Sequence, residues 1–419
     1  MKKTKSYKLL NLCRLCNGND LKPFVNFGNI PLGNNLQKDY KKAIKAEKYP
    51  LKIQRCNQCG HFQLSVSVNP LQLYSTNYTY LSGIGKNFVN HLEQYARWAI
   101  NEFNLKNDSF VLDIGSNDGT CLSFFKKYGC KVLGIDPARL PSEIANKNKI
   151  KTINDFFNNK NALYIEDNYG KIDLITSHNV LAHVEDLSNT FANIFNLLKE
   201  EGFFVFEIGY FKNVLENNYF DTTYHEHLDY HHAIPLFHKL KNVGFKVIEF
   251  STNKVQGGSL RVVCKKSKMI KQDNKQVMQF INAEYQSILY QTTYLEKWIS
   301  NIHNKMKIFG KKITSLKKNG KIICGYGAPT KATLLISIAQ IDNKCIDFIV
   351  EDNDLKVNSF MPSNGIPIFE FNKVLESKPD IFIIFAWNFS ENIIYKLKQN
   401  ISWSSKCVIP LPEYKEVLL

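Results

Sequence analysis

The stretch Val111-Leu112-Asp113-Ile114-Gly115-Ser116-Asn117-Asp118-Gly119-Thr120 decides the fold of this 419-residue chain. An apolar run closes on an acidic residue, and glycines then open a turn into a segment of helical spacing. The next apolar run ends in Gly134-Ile135-Asp136, about 20 residues further on, where dinucleotide folds place the acidic residue that grips ribose hydroxyls. The loop reads D-x-G-x-x-x-G, not G-x-G-x-x-G. A carboxylate stands where a pyrophosphate would lie, which disfavours NAD and favours a cofactor with a cationic end. Outward from this loop, FVLDIG, KVLGID, LITSHN and GFFVFEIG are short apolar runs with helix-like segments between them. That alternation, from about 108 to 265, predicts a parallel α/β sheet, and GFKVIEFSTN and SLRVVCKK add two strands at its end.

Composition sets the frame. Hydrophobic residues are 44% and charged residues 22%, the balance of a globular protein. Lys and Arg exceed Asp and Glu by 54 − 38 = 16, with a pI near 9.2, which suits an anionic partner: nucleic acid, an acidic membrane surface or a phosphorylated small molecule. No apolar stretch reaches the roughly 18–20 residues that cross a bilayer. The basic start lacks an apolar h-region, so a cytoplasmic location is expected, with no membrane partner.

Four of the ten cysteines form a pattern: Cys13-Arg-Leu-Cys16 and Cys56-Asn-Gln-Cys59-Gly60. A two-residue spacer puts two thiolates on one tight knuckle, and two knuckles make a closed tetrahedral zinc site. Without a secretion signal, disulfides are disfavoured. The other six cysteines lie mostly in apolar runs and read as core.

Four regions are expected: a zinc-binding module at 1–75, the cofactor-binding domain at 76–265, one or two connecting helices at 266–318, and a second α/β domain at 319–419. IPLGNNL reads as a loop, and Phe88 to Phe103 as a helix. In the last domain Gly325-Tyr326-Gly327-Ala328-Pro329-Thr330-Lys331 joins a strand to a helix. Amides at a helix start, with a Lys, suit a diphosphate or a purely structural turn. Asp352 and Trp387-Asn388 end neighbouring strands, where ligands of open α/β sheets bind. The two strand–Gly-loop–helix units at 112–120 and 322–331 suggest two copies of one architecture.

The loop at 113–119 resembles motif I of class I S-adenosylmethionine-dependent methyltransferases. The resemblance assigns Asp113, Gly115, Ser116, Asn117, Asp118 and Gly119 to the cofactor, Asp136 to its ribose, and Asp155 and Phe156 to its adenine. Asn179, in Ser177-His178-Asn179-Val180-Leu181-Ala182-His183, falls where such enzymes contact the methionine moiety and substrate. The [DNS]-P-P-[YF] signature of base amino methylation is absent there, which weakens a nucleic-acid acceptor.

Six of the ten histidines fall between 178 and 232, several of them in Tyr224-His225-Glu226-His227-Leu228-Asp229-Tyr230-His231-His232. A metallo-hydrolase set H-x-H-x-D-H fails, because Tyr230 stands where the last His should be. His231, His232 and His238 read as satisfied structural residues. A His beside a Glu and a Tyr can remove a proton from carbon when the product is an enolate.

The order of modules, with IPLGNNL, NYTYLSG, NVLAHVED, YHEHLDY, QGGSLRV, GYGAPTKATLL and FAWNFSENI, resembles the sugar C-methyltransferase family. The resemblance implies a class I methyltransferase core, a small N-terminal zinc module and a C-terminal Rossmann-like domain that helps hold a nucleotide-linked keto-deoxysugar. S-adenosylmethionine and structural zinc are the implied cofactors. His227 becomes the general base, supported by Glu226, Tyr224 and His183. Tyr78 or Tyr80 reaches in toward the substrate, as do His225, Ser259, Arg261, Gly327, Thr330, Lys331, Asp352, Trp387 and Asn388. A β-bulge explains the glycines before Ser259 equally well. A monomer without nucleic-acid partners is expected. The competing readings are a zinc-ribbon RNA methyltransferase and a non-enzymatic zinc-ribbon nucleic-acid-binding protein.

Overall fold

A strand buried on both faces reads as a mostly apolar run, and Phe110–Ile114 (β1) is such a strand in the interior of a seven-stranded sheet. It is followed by Lys131–Ile135 (β2), Thr152–Ile153 (β3), Ile172–His178 (β4), Leu198–Gly209 (β5), Phe245–Asn253 (β6) and Ser259–Lys266 (β7). The computed structural model describes residues 6–74, 80–267 and 274–419, apart from the side chains of Leu71, Tyr74 and Gln256. The strand order is β3-β2-β1-β4-β5-β7-β6. β1 to β5 run parallel, whereas β7 lies antiparallel to both β5 and β6, so the sheet is mixed rather than wholly parallel. The order reverses at β1, whose neighbours are β2 and β4. Open α/β sheets bind ligands at the carboxyl ends beside such a reversal.

The chain falls into two compact units: Met1–Phe24, Ile53–Asn213 and Glu226–Tyr290 form one, and Val25–Lys52, Val214–His225 and Gln291–Leu419 form the other. The first holds the β1–β7 sheet and both cysteine knuckles. Its helix Lys86–Glu102 agrees with the apolar periodicity of that stretch and buries Leu92, Tyr95, Ala96 and Ala99. A small antiparallel sheet leads into the second knuckle, where Lys48–Cys56 ends on Cys56. Ile53 pairs with Leu64 and Arg55 with Phe62. The short strand Asp229–Tyr230 adds to the same edge, pairing with Gln63 and Phe62.

The second unit carries its own seven-stranded sheet, with Ile323–Tyr326 at its centre between Phe348–Val350 and Ile381–Ile384, both parallel to it. Antiparallel pairs finish both edges. Both glycine loops therefore follow interior parallel strands. Along the chain, two helices come between the last strand of the first sheet and the first strand of the second: Lys275–Tyr285 belongs to the first unit, and Thr292–Lys318 to the second. The loop expected at IPLGNNL begins late, because Leu21–Pro31 is one extended strand. Among the described residues no helix is long and apolar enough to cross a membrane.

Candidate active site and metal centre

The loop after β1 needs its glycines. Gly115 has φ +73°, and a Cβ there would run into the Val180 side chain. Gly119 has φ +78° and is packed against Ile150 and Ala145. Gly134, on β2, leaves room for the Ser116 hydroxyl. Asp136 accepts the backbone N–H of Asn117 at 2.9 Å and of Ala138 at 2.8 Å, which ties the ends of β1 and β2 together. Burial pushes its carboxyl up to about 6, against those two bonds. Asp155 accepts the Phe156 amide at 2.7 Å.

Residues 80–83 are laid along the same loop. Ser82 N–H donates to Asn117 Oδ1 at 2.9 Å, Gly83 N–H to Asp118 Oδ2 at 2.8 Å, and Asn117 Nδ2 to the Tyr80 carbonyl at 3.1 Å. The Tyr80 side chain is exposed. Tyr78 lies outside the described residues.

Beneath the loop is a group of buried polar atoms with no hydrogen-bond partner among the described residues: Asp113 Oδ1, Ser116 Oγ and both ring nitrogens of His178. Burial, with Asp136 next in effect, holds the Asp113 carboxyl well above its ordinary range. Buried polar groups ordinarily find partners. A ligand that is cationic and rich in hydrogen-bonding groups fits this site, as S-adenosylmethionine is. Nearby, Glu207 on β5 accepts His91 Nε2 at 2.6 Å, Arg261 Nε at 2.7 Å and Asn253 Nδ2 at 3.1 Å. Arg261 also stacks on Trp98 at 4.5 Å. The reading of Arg261 as a substrate residue missed this buried partner, because nothing local in the sequence joins positions 91, 207 and 261. Ser259 is buried, and its hydroxyl bonds the Val255 carbonyl at 3.2 Å.

The turn after β4 brings His183 to His227. Their ring centroids lie 4.8 Å apart, edge to face. Leu228 N–H donates to the Ala182 carbonyl at 2.7 Å and fixes the two loops side by side. Desolvation, then the facing His227 ring, pushes His183 down to about 3, although hydrogen bonds to the backbone of Glu226 and Asn179 oppose this. His183 is therefore neutral at pH 7. Asn179 sits at φ 57°, with its N–H on the Glu207 carbonyl at 2.7 Å. Glu226 is buried, and His227 is half-buried.

Cys13, Cys16, Cys56 and Cys59 converge, with all four Sγ atoms within 4.8 Å of one another. Two Sγ pairs are 3.6 Å apart, near the roughly 3.8 Å edge of a tetrahedron with Zn–S of about 2.3 Å. Gly60 at φ +84° and Asn17 at φ 61° make the tight returns. A hydrogen bond from Cys59 pulls the Cys13 thiol down to about 5, whereas burial pushes Cys16 up to about 11. Four thiolates crowded this closely repel one another, and a dication relieves that repulsion.

In the second unit Lys331 Nζ donates to Asn388 Oδ1 at 2.8 Å and lies 4.0 Å from the Trp387 ring centroid. It also approaches Asp221 Oδ2 at 3.8 Å, and Trp387 Nε1 donates to the same oxygen at 2.5 Å. The structure thus gathers three expected residues and adds Asp221. Thr330 donates to Asn34 Oδ1 at 2.6 Å, and Asp352 is paired with Lys396 at 2.6 Å. The Ala328 amide, after Gly327, donates to Glu351 Oε2 at 2.7 Å, so a carboxylate of the protein already takes this loop amide.

His225 is buried against Tyr49, with Nε2 3.3 Å from the Tyr49 carbonyl. Burial pushes it down to about 4. The unfolded chain protonates this imidazole near pH 6.5 while the folded chain does not, so acidification through that window favours unfolding. His225→Gln is expected to flatten the pH dependence of stability between about pH 6.5 and 4, by about 1.4 kcal/mol per pH unit. Denaturant melts of parent and variant across that range measure it. Parallel curves would contradict a neutral His225.

Three family models match in series: "Putative zinc binding domain" over residues 13–74, "Methyltransferase domain" over 88–250 and "C-methyltransferase C-terminal domain" over 254–412. The C-methyltransferase NovU of Streptomyces niveus is 27% identical over 401 residues, spanning 96% of this chain and 95% of that protein. A ubiquinone biosynthesis O-methyltransferase of Pasteurella multocida (strain Pm70) is 34% identical over 107 residues, 23% of this chain and 44% of that protein. Among solved structures, magnesium protoporphyrin IX methyltransferase (ChlM) from Synechocystis PCC 6803 with bound SAM matches 43% of this chain and 79% of its own, at 14% identity and a TM-score of 0.33. The zinc-binding, methyltransferase and C-terminal matches follow one order along nearly the whole length of the chain, which is thereby similar to S-adenosylmethionine-dependent C-methyltransferases that carry a zinc-binding module.

Proposed function

We propose that the chain methylates the carbon alpha to the ketone, at C3, of a nucleotide-linked 4-keto-deoxysugar through an enolate. The observation that carries this reading is the His183–His227 pair, 4.8 Å apart, one ring from the turn beyond β4 and the other from the segment beyond β5. A proton on carbon beside a ketone is acidic enough for an imidazole base once the enolate oxygen is hydrogen-bonded. His227, half-buried, takes the proton. His183, neutral at pH 7, holds the opposing ring edge, and Tyr224 and Glu226 precede the base in sequence. When bound, S-adenosylmethionine supplies the electrophilic methyl group. Asp113, Ser116 and Asp136 hold the cofactor. Lys331, Asn388 and Trp387, gathered around Asp221, serve the nucleotide part of the substrate.

Incubation with methyl-labelled S-adenosylmethionine and a panel of nucleotide-linked 4-keto-deoxysugars, with RNA as a second acceptor, tests this. Label is expected in a sugar at the carbon alpha to the ketone. Label in RNA and in no sugar would sink the proposal.

A further inference from the structure

We propose that Arg14, carried between two of the four cysteine ligands, is a positioning residue for the reaction. Through Asp229 and the carbonyls of Val184 and Glu185, it sets how the His183 and His227 rings meet. The inference rests on the reading of His227 as the base.

The guanidinium is a rigid planar fork that can hold several acceptors in one fixed arrangement. Here Nε lies 3.0 Å from both Asp229 oxygens, Nη1 donates to the Glu185 carbonyl at 2.9 Å, and Nη2 donates to the Val184 carbonyl. Asp229 stands two residues after His227, and Val184 is the residue after His183. One side chain therefore ties together the two loops that carry the ring pair. Arg14 and Asp229 are almost fully buried, with side-chain exposures of 6% and 0%. Burial opposes the charge on Asp229, but Arg14 and then His61 outweigh it and hold the carboxyl down at about 2.

The fork inherits its position from the first knuckle. Arg14 N–H donates to Gln63 Oε1 at 2.8 Å, and Gln63 is itself the strand partner of Asp229. The second knuckle grips the same loop. His61, two residues after Cys59, bonds Asp229 Oδ1 at 2.9 Å. The Gly60 carbonyl meets His232 Nε2 at 3.1 Å, and His232 Nδ1 meets Glu284 at 3.0 Å. Both knuckles thus hold the segment just after the base, and zinc acts on the chemistry by holding the knuckles. A structural zinc with no catalytic duty would not need its spacer residue to reach both loops.

Arg14→Lys keeps the charge but loses the fork, so it can meet Asp229 or the carbonyls and not all of them. Asp229→Asn is a second variant that keeps the shape. Both are expected to retain one zinc and parental affinity for S-adenosylmethionine. Amide hydrogen exchange over 180–185 and 226–232 should quicken at least about tenfold, as expected for local opening. Methyl transfer should lose about 10–100-fold in kcat, with the sugar KM within about twofold, the signature of misplacement and not of lost binding. The double variant should be no worse than the poorer single one. Unchanged exchange in zinc-loaded Arg14→Lys, or a loss seen in KM alone, would overturn the proposal. Hydrogen exchange needs no substrate. A parent protein inactive on every sugar would therefore condemn the substrate reading separately, while the loop measurement still decides whether Arg14 holds the ring pair's loops.

Discussion

Stripping the metal from the purified protein with a tight chelator at neutral pH is expected to melt the segments around both knuckles. Two knuckles and a few short strands bury too little apolar surface to stand alone, so the ion supplies the missing free energy. In isolated zinc-finger peptides that contribution is about 10–16 kcal/mol, comparable with the whole stability of an ordinary domain. Here the module is continuous with the larger unit, through the pairing of Asp229 with Gln63 and of Tyr230 with Phe62. A loss of several kcal/mol is therefore expected without global unfolding. Metal analysis of untagged protein should give one zinc per chain. Calorimetry should then show a lower Tm after chelation, restored by zinc. Cys13→Ser with Cys16→Ser should reproduce the effect permanently. A metal-free protein with the parental Tm would remove the four-cysteine site as a structural element.

The second large effect is expected at His227. Replacement by Asn keeps a polar group of similar reach but no proton acceptor of suitable strength. A positioned base contributes about 10²–10⁴-fold, or about 3–5 kcal/mol of activation free energy at 1.36 kcal/mol per tenfold. Exchange of the substrate's alpha proton with D₂O reads this step without methyl transfer, and in His227→Asn it should fall by at least about 10²-fold. Affinity for S-adenosylmethionine should not change, because the orphaned polar atoms of Asp113, Ser116 and His178 that suit the cofactor are untouched. Undiminished exchange would exclude His227 as the base. Loss of cofactor binding together with exchange would instead indicate collapse of the loop.

The strand ending in Asp113 and the glycines after it were legible, because a turn with φ +73° at Gly115 and no space for a Cβ admits little else. The C-x-x-C pairs were legible for a similar reason: local spacing dictates which thiols can share an ion. The helix Lys86–Glu102 followed from apolar periodicity. The antiparallel placement of β7 did not, since a strand's own pattern does not state which way its neighbour runs. The extended strand Leu21–Pro31 was not legible, because Gly and Pro punctuate its run.

The sequence by itself determined the local chemistry: a loop for a cationic cofactor, four thiolates for zinc, and a histidine preceded by Tyr and Glu. Each is written in short motifs, the two C-x-x-C pairs included, so short-range geometry suffices to read them. Only the tertiary structure decided who faces whom. It set His183 against His227, Glu207 against His91 and Arg261, and Arg14 against Asp229. Each of these pairings joins positions far apart in the chain, across strand register and loop closure. Burial then decides which charges must be paired, and no pattern along the chain records that.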